Sequence, residues 1–203
     1  MGLWSRAAYG ILRRLNESTC QHSSDTSGKR ERFPRVSVHA HTMRLLEPLE
    51  STLAEVVRMT ASLQDDLWII GSAALSLIGV DVVVADVDLL VSGRDAVLLS
   101  QGLIPQSKEE GSDRFRSHYL RYCQTALPIE IMGALEVGVG GRWDRVQPTS
   151  RIPIAIRSEK VFVPNATEQL RLLHLFGREK DVARSDALWA SGFCTLDPPD
   201  IVK

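Results

Sequence analysis

Asp86 and Asp88 stand two residues apart in the otherwise apolar run "VVVADVDLLV". An ionised carboxylate among apolar neighbours is costly unless positive charge meets it. Read as a strand from Val82 to Val91, the run turns both carboxylates to one face, because strand side chains alternate. Held side by side they repel, and a hard divalent cation bound by oxygen ligands converts that repulsion into affinity. Glu130, isolated in "LPIEIMG", brings a third carboxylate to the cluster if its strand pairs beside Asp88. Three carboxylates facing a phosphate chain are the ingredients of two-metal phosphoryl transfer, in which one ion activates the attacking oxygen and the other steadies the leaving group.

Upstream, Gly71-Ser72 follows "LWII". A turn that admits close backbone approach, opening directly into a helix, offers N–H groups and a hydroxyl to an anion. The elements that must position these residues follow from periodicity. Leu45, Leu46, Leu49, Leu53, Val56, Val57 and Leu63 form a helical stripe between Thr42 and Leu63, with Pro48 expected in the first turn. "LWII" reads as a buried strand, Ala73 to Ile78 as a short helix, and Arg94 to Gln101 as a helix ending at Gly102. "RFRSHYLRY" and "LPIEIMG" read as strands, Gly138, Gly140 and Gly141 as a loop, and "RIPIAIRSEKVFVPN" as a hairpin turning at Arg157 to Lys160. Helices from Thr167 to Phe176 and from Lys180 to Ala190 close the chain. This order predicts an α/β (α+β) domain over residues 36–203, a central mixed sheet with flanking helices and a C-terminal helical cap from about residue 166. Residues 1–35 read as an amphipathic N-terminal segment and a polar linker.

The pattern "GSAAL", a spacer, then "DVDLL" resembles the signature of the nucleotidyltransferase superfamily that includes DNA polymerase β. The matching positions are Ile70, Gly71, Ser72, Asp86, Asp88 and Glu130. The tail "LRLLHLFGREKDVARSDALWA" is similar to the helical stretch of AbiEii-type and related small antibiotic-class nucleotidyltransferases. The resemblance implies transfer of a nucleoside monophosphate from a nucleoside triphosphate to a hydroxyl, with two Mg²⁺ ions, Mn²⁺ being an alternative. It assigns Asp86, Asp88 and Glu130 to catalysis and metal binding, Gly71 and Ser72 to the phosphates, and Lys180 to a phosphate contact that Asp181 or Asp186 orients. The chain departs from AbiEii-like members before the Asp pair, where "DVVVA" replaces their basic residue and Ser or Thr.

Blander roles compete for the same residues. The Asp pair could be solvated at a strand end, Glu130 could sit on a wet edge strand, Ser72 could cap a helix, and Lys180 and Arg178 could pair with acidic helix neighbours. A catalytically inactive member acting as a nucleotide- or metal-binding or interaction module is therefore the alternative function. A toxin-like enzyme modifying RNA or protein through Arg114, Arg116 and Arg121 is a further one. His39 and His41 lack a third ligand for a metal, and no serine has a nucleophile-elbow context.

Composition narrows the partners. Lys and Arg number 24 against 25 Asp and Glu in 203 residues, a net charge of −1, so bulk nucleic-acid binding is not expected. The acceptor is left open among small molecule, protein and RNA. Cys20, Cys123 and Cys194 lie far apart without C-x-x-C spacing, which fits free thiols in a reducing compartment. No apolar run is long enough to span a bilayer, so no membrane partner is expected. Cytoplasmic localisation follows, with a mitochondrial presequence as the alternative because Arg6, Arg13 and Arg14 punctuate an amphipathic start without acids before Glu17.

Overall fold

The computed structural model describes residues 39–103 and 112–194, with side chains from residue 47 onward. The expectations for the first 35 residues, Cys20 and the His39 and His41 side chains lie outside them. Among the described residues, helices and strands alternate as α1 (His39–Thr60), β1 (Trp68–Ile70), α2 (Gly71–Leu77), β2 (Val87–Val91), α3 (Gly93–Gly102), β3 (Phe115–Tyr122), β4 (Ile129–Val139), β5 (Arg142–Arg145), β6 (Ile152–Ile156), β7 (Glu159–Val163), α4 (Ala166–Phe176) and α5 (Glu179–Ala190). Among these helices, none is long and apolar enough to cross a membrane.

The main sheet runs β1-β2-β4-β3, with β5 continuing from β4, and it is mixed: β2 and β4 are parallel, the remaining pairs antiparallel. β6 and β7 form a separate hairpin. One face of the sheet presents Ile69, Val87, Leu89, Val91, Ile129 and Ile131 to Leu49, Leu53 and Val56 of α1, to Ala96 and Leu99 of α3, and to Ile156, Val161 and Val163 of the hairpin. Each of the fully buried leucines contributes about 1.5–3 kcal/mol by leaving water. The other face carries Trp68, Ile70, Leu90, Leu135 and Val137, packed with Phe176 at the end of α4. A third cluster, Leu75, Val80, Leu170, Leu173 and Leu188, joins α2, α4 and α5.

β4 contributes to both faces by a bulge. Its odd-numbered residues would all share one face by strict alternation, yet Ile129 and Ile131 belong to the first core and Leu135 and Val137 to the second. The cause is Ala134, at φ 52, where two residues of β4 oppose the single Ser117 between the pairs Arg116↔Glu136 and His118↔Gly133.

Three sequence expectations need correction. The strand expected from Val82 starts only at Val87, because β1 is three residues long and pairs only as far as Asp88; Val83 stands 88% exposed. The expected loop at Gly138 to Gly141 is instead the end of β4 and a two-residue hairpin turn. Gly140 and Gly141 both take positive φ, 55° and 81°, as a type I′ turn requires, and Val139 pairs with Arg142. Pro48 lies in the interior of α1, not in its first turn.

Candidate active site

A lateral row crosses four strands. Ile70 pairs with Asp88, Asp88 with Glu130, and Glu130 with Arg121. All four line a cleft of about 310 Å³. Charge sits at the row's centre, and Ile70, Phe115, Met132, Leu135 and Phe176 form the cleft's apolar side. β3 sends Ser117, Tyr119 and Arg121 into it. Arg116 points to the opposite face, where it pairs with Glu136 and covers the Trp143 ring at 4.4 Å, so Arg116 and Arg121 do not make one basic surface.

The electrostatics centre on Asp88. Burial raises its pKa first, the Asp86 and Glu130 carboxylates raise it further, and Arg184 and Lys180 oppose them, leaving it pushed up to about 7. Asp86 acts on Asp88 from the residue just before β2 and does not line the cleft. Glu130 is met by Arg121, with Nη1 at 3.7 Å from Oε1, and that carboxylate is the main cause of a raised Arg121 pKa.

Gly71 is tight against this acid. It has φ 68, and a Cβ there would lie 2.1 Å from Oδ2 of Asp88. Only a glycine leaves room for the carboxylate at that height. Ser72 is fully buried and among the described residues its hydroxyl has no hydrogen-bond partner, nor does it cap α2. Neither Gly71 nor Ser72 lines the cleft that contains Asp88 and Glu130; Gly71 faces a smaller crevice beside Arg178 and Asp181.

No protein-family model and no curated protein sequence matches the chain. Solved structures do. A candidate nucleotidyltransferase of Thermotoga maritima superposes with a TM-score of 0.56 at 18% identity, over 70% of this chain and 91% of that one. The chain has a nucleotidyltransferase fold. An antigenic nucleotidyltransferase-like protein of Paracoccidioides brasiliensis gives 0.43 at 18% identity, over 71% and 76% of the two chains, too distant to argue from.

Within this nucleotidyltransferase fold, α5 supplies the cationic wall. Lys180 lines the cleft from an exposed position, beside Arg178. Asp181 does not reach Lys180. It is fully buried and accepts from Arg178 through Nε at 2.7 Å, Nη2 at 3.1 Å and the backbone N–H at 3.1 Å, with Arg184 Nη1 3.7 Å away. Asp186 is exposed and outside the cleft. Sequence reasoning placed the weight on Lys180 and passed over Arg178 and Arg184. The signal available was the spacing of Arg178, Asp181 and Arg184, each three apart and so on one helix side.

The donor chemistry suits a hard cation: oxygen-only carboxylates, with Asp88 lifted by burial and then by like charges that a divalent ion would offset. As placed, no three His, Cys, Asp or Glu side chains among the described residues stand close enough together to hold a metal ion. Asp88 and Glu130 are the pair in the cleft, and Asp86 would have to swing toward them to complete the set.

Proposed function

We propose that the protein is a metal-dependent nucleotidyltransferase that moves a nucleoside monophosphate from a nucleoside triphosphate to an acceptor hydroxyl. The observation that supports this reading is the pairing of Asp88 with Glu130 across parallel strands at the base of the cleft, with Asp88 pushed up to about 7 by burial and by its acidic neighbours. Asp88 and Glu130, with Asp86, would hold Mg²⁺. These carboxylates would place the cation where it would supply Lewis-acid polarisation of the acceptor oxygen and the departing pyrophosphate. The bond formed joins the acceptor oxygen to the α-phosphorus, and the bond broken is that between the α-phosphorus and the oxygen bridging it to the β-phosphate. Glu130 would help hold the cation and favour release of the acceptor's proton to solvent, with Arg121 Nη1 3.7 Å from its carboxylate. Lys180 neutralises phosphate charge from α5. Gly71 and Ser72, assigned to the β- and γ-phosphates, stand outside the cleft and would reach a nucleotide only if the start of α2 opened toward it. The tail "REKDVARSD" carries the finer reading, kinship with AbiEii-type enzymes.

The test is pyrophosphate release from each of the four ribonucleoside triphosphates with Mg²⁺ or Mn²⁺ over a panel of hydroxyl acceptors. Wild-type turnover that Asp88→Asn abolishes supports the proposal; turnover unchanged by Asp88→Asn defeats it.

A second reading, a nucleotide-binding or interaction module without catalysis, is favoured by one observation. Asp86 stands outside the cleft, and the three acids are not drawn into a metal-holding group as placed. Saturable nucleotide binding without pyrophosphate release over the whole panel is the outcome that selects it.

A further inference from the structure

Arg178 is held from two sides. Its guanidinium forks onto the carboxylate of Asp181, Nε at 2.7 Å and Nη2 at 3.1 Å, and lies over the rings of Phe115 at 5.3 Å and Phe176 at 5.4 Å, themselves an edge-to-face pair 5.7 Å apart. The Asp181 side chain has no exposed surface, whereas that of Arg178 is 40% exposed and lines the cleft. A buried carboxylate and two aromatic faces thus orient an arginine whose remaining N–H groups are free to meet a solute. A guanidinium fixed in this way loses little freedom on binding an anion, and its planar fork suits phosphate oxygens. Lys180 beside it is an exposed, flexible ammonium.

We infer that Arg178 is the fixed phosphate ligand of the cleft, binding the polyphosphate chain of the nucleotide, and that Asp181 is its positioning residue. The inference rests on the nucleotide reading above and names the residue that grips the substrate's anionic end. Asp181 touches no substrate; it sets the plane and height of the guanidinium through the side-chain fork and the Arg178 backbone N–H. Arg184, 3.7 Å from the same carboxylate, is placed by it too and lowers the pKa of Asp88. One buried acid therefore organises two cations around the acidic row.

The test is calorimetric titration of the full chain with MgATP, with tripolyphosphate and with adenosine. Arg178→Gln/Asp181→Asn exchanges the ion pair for a neutral hydrogen-bonded pair and leaves Arg184, 3.7 Å from the same side chain, without that carboxylate's charge. Its affinity for MgATP and tripolyphosphate falls about ten- to a hundredfold, as loss of a charge-assisted contact predicts, while its adenosine affinity holds. Arg178→Lys, which keeps the charge without the fork, gives a smaller loss of the same selectivity and decides the matter if the double variant does not fold. Wild-type affinity for tripolyphosphate in either folded variant overturns this inference and leaves the nucleotidyltransferase reading standing. A wild-type protein that binds neither MgATP nor tripolyphosphate overturns both.

Discussion

The Cα of Gly71 directs its missing side chain at Oδ2 of Asp88, 2.1 Å from where a Cβ would be. The glycine is thus part of the acid's socket, and its place one residue after Ile70, the lateral partner of Asp88, explains the contact.

Gly71→Ala meets that oxygen and must also take φ 68, a region costly for residues with a Cβ. Thermal or urea unfolding is expected to show a loss of about 1–3 kcal/mol. Asp88→Ala in the same chain should recover part of it, since the obstructing carboxylate is then gone. A fully additive double mutant would contradict the socket.

Asp88 sets a pH dependence of defined sign. Its folded pKa of about 7 lies above the ordinary value of 3.8, so the unfolded chain releases this proton first. The metal-free protein should therefore lose stability as pH rises from about 4 to about 7 and level off above. Asp88→Asn removes that slope. After allowance for the partial exposure of Asp88, the variant should gain about 1–2 kcal/mol on wild type between the two ends of the window, measured by urea unfolding.

Glu168 works in the opposite direction. Burial alone would raise its pKa, but the hydroxyls and backbone N–H groups of Thr149 and Ser150 all donate to its carboxylate and lower it below the usual glutamate range. It contributes stability above its unfolded pKa that is lost as pH falls through the folded one. Glu168→Gln should cost about 1–3 kcal/mol at pH 7, and the gap should close in acid.

Glu130→Gln retains the strand and the cleft but removes a ligand that the proposed function assigns to the metal. Pyrophosphate release is expected to fall at least about a hundredfold, about 2.7 kcal/mol in the barrier, with little change in melting temperature. Arg121→Gln, which frees Glu130 from its 3.7 Å partner, should weaken the reaction less than Glu130→Gln does.

Much of the fold was legible because its periodicities are strong. α4 and α5 begin within one residue of their expected starts, and the β6–β7 hairpin turns at Arg157 and Ser158, inside the expected stretch. The pairing of Glu130 with Asp88 was stated as a condition and holds as geometry, because a parallel β2–β4 register places equal heights side by side. What escaped is non-local. Nothing in "VVVADVD" tells that β1 is too short to pair with Val82 to Ala85, so Asp86 was placed on a strand it only precedes. The double glycine at Gly140-Gly141 signals a turn as readily as a loop, and the difference lies in the partner strand. Arg178 was expected to pair with an acidic helix neighbour at the surface, and it does pair, with Asp181, but that this acid is fully buried depends on contacts the linear pattern does not reveal.

The single extra residue at Ala134 lets one strand serve as two. Its first half, with Glu130, keeps step with β2; its second half is out of phase, with Leu135 on the cavity wall and Val137 in the core behind it. Deleting Ala134 would restore plain alternation with Leu135 still on the side of Glu130 and Met132, so the extra residue gives this eleven-residue strand its bend without deciding which side its apolar half faces.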